Sequence, residues 1–413
     1  MDGPEPYGRP PRVDGITTVD VGREIEVHRL AVAGGEAAIA RDIGDRLGRV
    51  LLPRSRFAEA HAIATATLTL GPNASALYDR GWARQATGWP RPALEDYQPA
   101  LDLYRQAGDR ASEAATLASI GLVHNRLGDQ RQALNYYHQA LDLYRQAGDR
   151  AGEATTFNSI GLVHNRLGDR RQALNYYHQA LPTLQEIGDR AGEAVALNNI
   201  GLVHNRLGDR RQALNYYHQA LPTLQEIGDR AGEAVALNNI GGVYTRLGDQ
   251  RQALEHYQQA LLIQLEVGDR AGEAVTLNNI GGVYNTLGDQ RQALEHYQQA
   301  LLIRLEVGDR AGEAVTLNNI GHLYYVLGDR QQALDYYHQA LPTLREIGDR
   351  FGEAITRHNL VMIHRADGNL ALAAAELERV VDLERQVEHP NLTNHTALLE
   401  QVRHELAQTD TVT

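Results

Sequence analysis

Asparagine recurs along this sequence at an interval of 40 residues. The row has serine at its first two positions and comprises Ser119, Ser159, Asn199, Asn239, Asn279, Asn319 and Asn359. An amide offers both a donor and an acceptor, so such a row suits hydrogen bonds to the backbone of an extended peptide. We therefore expect a peptide-binding surface. The alternative is that these amides bridge neighbouring helices or remain from recent duplication.

A second row supplies positive charge and belongs to the first part of the chain. It comprises Arg126, Arg166, Arg206 and Arg246, and later gives way to Thr286 and Val326. Guanidinium groups favour carboxylates and phosphates through charge-assisted, often bidentate hydrogen bonds. We expect the acidic end of a partner to lie toward this row, although a solvated face with local ion pairs explains it equally well. Between the two rows, Gly242 and Gly282 replace leucine and leave room for a bulky anchor side chain.

Catalytic and metal chemistry finds little support in the sequence. There is no phosphate-binding glycine loop, no HExxH and no GxSxG. His124, His164 and His204 give way to tyrosine at the equivalent positions of later repeats, which indicates shape-filling and not metal binding. We expect no enzyme activity, no cofactor and no metal.

The elements that position these rows are pairs of helices. Within residues 191–230, Leu197, Ile200 and Gly201 follow the helical period and predict helix A. Gly208 then ends this helix, and Asp209 caps the start of helix B. The asparagine and arginine rows lie about 180° from Leu197 on helix A, at 100° per residue.

These residues resemble the tetratricopeptide repeat. The family pattern is met in one repeat by Leu197, Ile200, Gly201, His204, Ala213, Tyr217 and Ala220. The 40-residue form is similar to the repeats of kinesin light chain and Pins, and to bacterial arrays associated with caspase-like (CHAT) or NB-ARC domains. The asparagine row also resembles the ladder of O-GlcNAc transferase, whose catalytic domain has no counterpart here. The resemblance implies a right-handed superhelical, all-α solenoid whose A helices line a concave, peptide-binding groove.

The small-residue position of helix B sets the register of about nine repeats. Its members are Ala60, Ala93, Ala133, Ala173, Ala213, Ala253, Ala293, Ala333 and Ala373. We expect the solenoid over residues 36–390 and a capping helix with a tail over 391–413. Residues 1–35 are expected to be flexible, with a short hairpin or strand over 16–30.

Composition indicates which classes of partner and which cellular compartment to expect. The 413 residues carry a formal net charge of -12, with no cysteine and no stretch resembling a membrane span. Nucleic-acid and membrane binding are therefore disfavoured, and we expect a cytoplasmic protein. All basic residues are arginine, which is typical of a GC-rich bacterial genome.

The leading functional hypothesis is a non-catalytic interaction scaffold for an extended peptide or the tail of a partner protein. One alternative is a peptide-sensing, regulatory arm acting in trans on a bacterial ATPase or protease system. Another is a structural solenoid that assembles into homo-oligomers.

Overall fold

The computed structural model describes residues 18–386 and 390–410. These residues form 20 α-helices and a short 3-10 helix at Leu52–Arg54, with no strand among them. The prediction of an all-α chain of helix pairs is confirmed. The α-helices, in chain order, are α1 Thr18–Ala33, α2 Ala37–Leu51, α3 Phe57–Leu68, α4 Ala74–Ala86, α5 Pro90–Ala107, α6 Arg110–Arg126, α7 Gln130–Ala147, α8 Arg150–Arg166, α9 Arg170–Ile187, α10 Arg190–Leu207, α11 Arg210–Ile227, α12 Arg230–Leu247, α13 Gln250–Val267, α14 Arg270–Leu287, α15 Gln290–Val307, α16 Arg310–Val326, α17 Arg330–Glu346, α18 Arg350–Ala366, α19 Leu370–Gln386 and α20 Leu392–Asp410.

Helix boundaries follow the predicted caps. Gly208 ends α10 in the left-handed region, with φ of 86°, where only glycine is unstrained. The Asp209 carboxylate accepts a hydrogen bond of 3.1 Å from the backbone N–H of Gln212, which satisfies a free donor at the start of α11. The same two devices recur in the later repeats, so the 40-residue period becomes a period of two helices.

From α4 to α17, each A helix packs closely against its B helix through a glycine and a tyrosine. A Cβ atom added at Gly241 in α12 would lie 2.8 Å from the ring of Tyr257 in α13. That distance is shorter than real contacts allow, so the glycine lets the tyrosine ring lie against the helix backbone. Tyr257 is 3% exposed, and the equivalent rings at Tyr137 and Tyr177 are completely buried. The pair is therefore the main packing unit of the fold.

The chain divides into two compact units, with the boundary inside α11 between residues 223 and 224. The N-terminal unit comprises the described residues 18–223, and its core extends from Val21 to Ala196. The C-terminal unit comprises residues 224–386 and 390–410. Within it the A helices α12, α14, α16 and α18 contact one another in succession, and each packs on the B helix that follows it.

Helix α1 corrects the expectation of a hairpin or strand over residues 16–30. Val21, His28 and Ala31 are buried, and Ile25 packs against the core. Their spacing of three or four residues is helical and outweighs the alternation that suggested a strand. The segment expected to be flexible lies outside the described residues up to residue 17.

A final helix closes the C-terminal unit. Helix α20 packs on α19, where Leu399 and Val402 join Leu377 and Val381 in a small core. The helix otherwise presents mostly polar side chains to solvent. None of the helices in the described ranges has the length and apolar character needed to cross a membrane.

Candidate functional site

The A helices of the C-terminal unit expose an apolar stripe beside the predicted asparagines. Val235, Val315 and Ile355 are 44%, 48% and 45% exposed, on α12, α16 and α18. We call one surface of this unit the A-helix face. It is formed by Val235, Asn239 and Gly242 and by the residues 40, 80 and 120 positions after each of them. Sequence reasoning missed the valines, although their 40-residue interval was a readable signal.

The predicted asparagines are half-buried, and two of them bridge neighbouring A helices. Asn279 Nδ2 donates to Asn238 Oδ1 at 3.1 Å, and Asn319 Nδ2 donates to Asn278 Oδ1 at 3.0 Å. Both are inter-repeat hydrogen bonds, which agrees with the alternative interpretation of this row. Asn199, Asn239 and Asn359 are likewise half-buried in their helices.

The two serines of the row lie where a ligand cannot reach them. Ser119 in α6 is fully buried, with its Oγ 3.2 Å from the hydroxyl of Tyr78. Ser159 in α8 is only 5% exposed. Ser119 and Ser159 therefore lie outside any exposed binding surface in this structure, because α6 and α8 are enclosed at these two positions.

The arginines in the N-terminal unit contact the ends of the preceding A helices. Arg126 Nη1 donates to the carbonyl of Gln85 at 3.3 Å, and Arg166 Nη1 donates to the carbonyl of Asn125 at 2.8 Å. Arg206 Nη1 lies 3.1 Å from Asn165 Oδ1. The last carbonyls of a helix lack intrahelical partners and carry its negative dipole end, so a guanidinium suits this position.

These arginines nevertheless remain exposed to solvent, as does Arg246 on α12. Three arginines of the row therefore cap helices while their side chains stay exposed.

Gly242 and Gly282 lie open on the A-helix face, where sequence reasoning expected room for an anchor. A Cβ added at either glycine would meet nothing nearer than a tyrosine hydroxyl at 3.6 Å. Beneath Gly282, burial raises the pKa of Tyr297 to about 12, so its hydroxyl stays protonated and can donate. The Tyr257 hydroxyl lies beneath Gly242 and 3.3 Å from Thr245 Oγ1. No sequence pattern indicated that these hydroxyls reach the face.

The histidines on the packed stripe stack on aromatic rings. His204 in α10 stacks on Tyr216 in α11 with ring centroids 5.5 Å apart. In the next pair the residue types exchange, and Tyr244 stacks on His256 at 5.4 Å. This exchange agrees with the predicted shape-filling role.

Formal charge is distributed unequally between the two parts of the sequence. Residues 224–413 contain 27 acidic residues and 15 arginines, whereas residues 1–223 contain 25 of each. The whole net charge of -12 therefore belongs to the part that carries the A-helix face. A basic ligand is favoured there.

A family model described as tetratricopeptide repeat matches most of the sequence. The matched stretches are residues 74–146, 152–226, 192–265, 232–306 and 308–408. No curated protein matches the chain. The likeness to kinesin light chain stays a prediction.

Several solved structures are similar in fold at low sequence identity. The apo form of the quorum sensor NprR from B. thuringiensis has a TM-score of 0.64 at 13% identity, over 79% of this chain and 99% of that chain. A STAND ATPase with a tetratricopeptide repeat sensor from Pyrococcus horikoshii has a TM-score of 0.61 at 13% identity, over 82% of this chain and 52% of that chain.

A third similar structure contains a peptide. The Rap conjugation gene regulator of the plasmid pLS20, in complex with the Phr* peptide, has a TM-score of 0.55 at 14% identity, over 80% of this chain and 96% of that chain. Such identities indicate a shared fold only, whereas the family model covers most of the sequence. The protein belongs to the tetratricopeptide repeat family.

Proposed function

We propose that this protein is a non-catalytic interaction scaffold that binds an extended peptide segment along the A-helix face of the C-terminal unit. The observation that carries the proposal is the apolar stripe, in which Val235, Val315 and Ile355 each remain nearly half exposed. Apolar residues that recur in line on one surface mark a binding surface more often than chance exposure. Open backbone at Gly242 and Gly282 adds space for a side chain of the ligand.

The chemistry of the face selects the class of peptide. Apolar side chains of the ligand contact the valine stripe, while its backbone meets amides that are only half-buried. The excess of acidic residues in the C-terminal part of the sequence favours basic residues in the ligand.

A similar fold has been solved with a bound peptide, which supports the proposal by analogy. The Rap regulator was solved in complex with the Phr* peptide. Function on a repeat scaffold depends on the residues of its own surface, so the analogy supports the class of ligand and not its identity.

A second candidate is a sensor arm that acts in trans on an ATPase. The STAND ATPase of similar fold carries a tetratricopeptide repeat sensor, and this chain covers 52% of its length. Both candidates bind a peptide, but only the sensor arm passes the binding event on to a separate ATPase. Stimulation of ATP hydrolysis by a purified ATPase from the same cell distinguishes them.

Self-assembly is the third candidate, and it involves a different surface. Leu262 on α13 and Leu302 on α15 are 67% and 68% exposed on the B helices. Light scattering over a concentration series measures self-association directly. A mass that increases with concentration in the wild type and not in a variant with L262E and L302E would favour this candidate.

The main proposal is tested with peptides selected by the full chain from a random display library. Their affinities are measured by fluorescence anisotropy for the wild type, for V235E with V315E, and for L262E with L302E. Both double variants add two charges at exposed positions, so they are matched. We expect the A-helix variant to bind at least about tenfold more weakly, since buried apolar contact is lost. Equal losses in both variants would contradict the proposal.

A further inference from the structure

The C-terminal unit contains a cavity of about 240 Å³ where α18, α19 and α20 meet. It is larger than an apolar cavity of about 150 Å³ that accommodates benzene in another protein. It is smaller than the range of roughly 300 to 1,000 Å³ that is usual for drug-sized ligands. The volume therefore suits one large side chain and not a whole peptide segment.

The wall that α18 contributes is apolar and open to solvent. Phe351 and Ile355 lie about one helical turn apart and line the cavity. They are 52% and 45% exposed, although phenylalanine and isoleucine are among the residue types most often buried. Ile355 also belongs to the A-helix face, and Met362 continues the same stripe with 42% exposure. A peptide lying on the A-helix face therefore has direct access to the cavity.

Two imidazole rings also line the cavity. His358 on α18 and His395 on α20 have ring centroids 4.6 Å apart. Burial lowers the pKa of His358, so its ring is neutral near pH 7. The carboxylate of Glu384 is buried and lies 2.9 Å from His395 Nδ1, so it is engaged inside the protein and the ligand does not need to reach it. The surface offered to a ligand is therefore mainly apolar and aromatic.

This lining favours an aromatic ring over a straight aliphatic chain. Aromatic pairs prefer offset or edge-on packing, and such a pair contributes free energy beyond the apolar area that it buries. A ring that enters the cavity can pack in this way against Phe351 and against the imidazoles. Ile355 covers a further part of the ring and removes it from water.

Comparison between repeats shows that the exposed phenylalanine is specific to α18. The equivalent residue of six earlier repeats is alanine, at Ala111, Ala151, Ala191, Ala231, Ala271 and Ala311. Duplication of earlier repeats would have placed alanine here, so Phe351 is not a remnant of copying. A half-exposed phenylalanine gains less from folding than a buried one, and its departure from alanine favours a role in binding. Because α20 follows the last helix pair, we expect one such site in each chain.

We propose that the cavity binds one aromatic side chain of the partner peptide, held against Phe351, Ile355 and the imidazole pair. This inference rests on the proposed function of the A-helix face and names the residue type that anchors the ligand there. Because α18 is the last A helix of the face, the anchor lies at the end of the bound peptide nearest α20. Buried aromatic anchors supply a large share of binding energy, so this residue determines which peptides bind tightly.

The cavity is tested first with a single-residue probe, so that the result does not depend on the rest of the A-helix face. The probe is N-acetyl-4-fluorophenylalanine amide, and its binding to the full chain is followed by fluorine NMR. The matched control is N-acetyl-3-fluoroalanine amide, which lacks the ring. We expect the ring probe to saturate one site in each chain and the control to show no binding at the same concentrations.

Two variants assign probe binding to the cavity. F351A restores the alanine of the earlier repeats at an exposed position, so it should fold normally. It should weaken binding of the ring probe about two- to tenfold, as expected for the loss of one aromatic contact. F351A with A311F has the composition of the wild type, but its phenylalanine lies on α16 instead of α18. This double variant should bind the probe no better than F351A alone.

The second step locates the anchor in the peptide. Peptides selected by the full chain are resynthesised with each aromatic residue replaced in turn by alanine, and their affinities are measured by fluorescence anisotropy. We expect one replacement near an end of the peptide to weaken binding to the wild type at least about tenfold. The same replacement should have a smaller effect on binding to F351A, because both changes remove the same contact.

Several outcomes would overturn the inference. They are no binding of the ring probe, equal probe binding by the wild type and F351A, saturation at more than one site in each chain, and selected peptides that contain no aromatic residue. If the ring probe fails while V235E with V315E still weakens peptide binding, the cavity assignment is wrong and the A-helix face stands. If the probe binds as expected but V235E with V315E leaves peptide affinity unchanged, the cavity stands and the wider face is wrong.

Discussion

The guanidinium of Arg166 in α8 is hydrogen-bonded to Asn125 in the last turn of α6. Its Nη1 donates to the Asn125 carbonyl at 2.8 Å and to the side-chain Oδ1 at 3.0 Å. Arg206 makes the same pair of contacts with Asn165, one repeat further along. The arginine row therefore joins successive A helices. The sequence pattern had assigned the same row to ligand binding.

Replacing these arginines should lower stability. We expect R126Q with R166Q and R206Q to decrease the free energy of unfolding, because each hydrogen bond contributes about 0.5 to 1.5 kcal/mol. Thermal unfolding followed by circular dichroism measures the change. The matched control is R131Q with R171Q and R211Q, three exposed arginines on B helices at the same interval. If the two triple variants have the same melting temperature, Arg126, Arg166 and Arg206 are solvated surface residues that do not stabilise the fold.

The asparagine bridge between α12 and α14 should appear as an energetic coupling. N279A and N238A each remove one partner of the 3.1 Å hydrogen bond. We expect a coupling energy of about 0.5 to 1.5 kcal/mol in a double-mutant cycle, since the second substitution loses nothing further from this contact. Urea unfolding of the four proteins gives the value. Strict additivity would show that the amides do not stabilise each other.

Arg304 in α15 occupies a position that is leucine in three other repeats, at Leu184, Leu224 and Leu344, and its replacement should stabilise the fold. The side chain is 5% exposed, burial lowers its pKa, and Asp309 is 3.9 Å away. The neighbouring Leu305 is 53% exposed. At the equivalent positions of α17 the leucine, Leu344, is buried and the arginine, Arg345, is exposed, so the two residue types are exchanged in α15. We expect R304L with L305Q to raise the free energy of unfolding by about 1 kcal/mol or more.

The reciprocal substitution supplies the control for this prediction. L344R buries a charge at the equivalent position in α17, where Leu344 is 2% exposed. It should lower the melting temperature strongly. If R304L with L305Q lowers the melting temperature as L344R does, Arg304 makes a net favourable contribution to stability where it lies.

Acid should destabilise the N-terminal unit through His28. This residue is 3% exposed, its Nε2 lies 2.8 Å from Thr67 Oγ1, and burial lowers its pKa. The unfolded chain then binds the proton more tightly, so stability falls as the pH drops through the ordinary histidine value of about 6.5. We expect H28Q to have a melting temperature that depends less on pH below that value. H138Q, at an exposed histidine, should keep the wild-type dependence.

Local features of the fold could be predicted because they depend on neighbouring residues. Gly208, Asp209 and the stripe around Leu197 act within one or two helical turns, and the 40-residue interval repeats their effect. Helix α1 was missed because its sequence shows an alternation typical of a strand together with a helical spacing. The tertiary environment of Val21 and His28 decides between the two.

The candidate site could be predicted only in outline. The face of the A helix follows from helical geometry, so Asn239 lies where the pattern indicates, whereas the exposed Val235 beside it was not predicted. Burial of Ser119 depends on Tyr78, which is 41 residues away, and no periodicity reports that contact. The cavity lined by Phe351, Ile355 and Glu384 needs three helices to meet, and the residue type at the Glu384 position varies between repeats, so no periodicity predicts it.

The most direct test of peptide binding on the A-helix face uses the absence of cysteine from this chain. Single cysteines are introduced as V235C, V315C, L262C and L302C, and a selected peptide carrying one terminal cysteine is offered to each for disulfide trapping. Binding on the A-helix face predicts rapid trapping at V235C or V315C, competed by the cysteine-free peptide, and slow, uncompeted trapping at L262C and L302C. Competed trapping at L262C or L302C, with no trapping at V235C or V315C, would contradict peptide binding on the A-helix face.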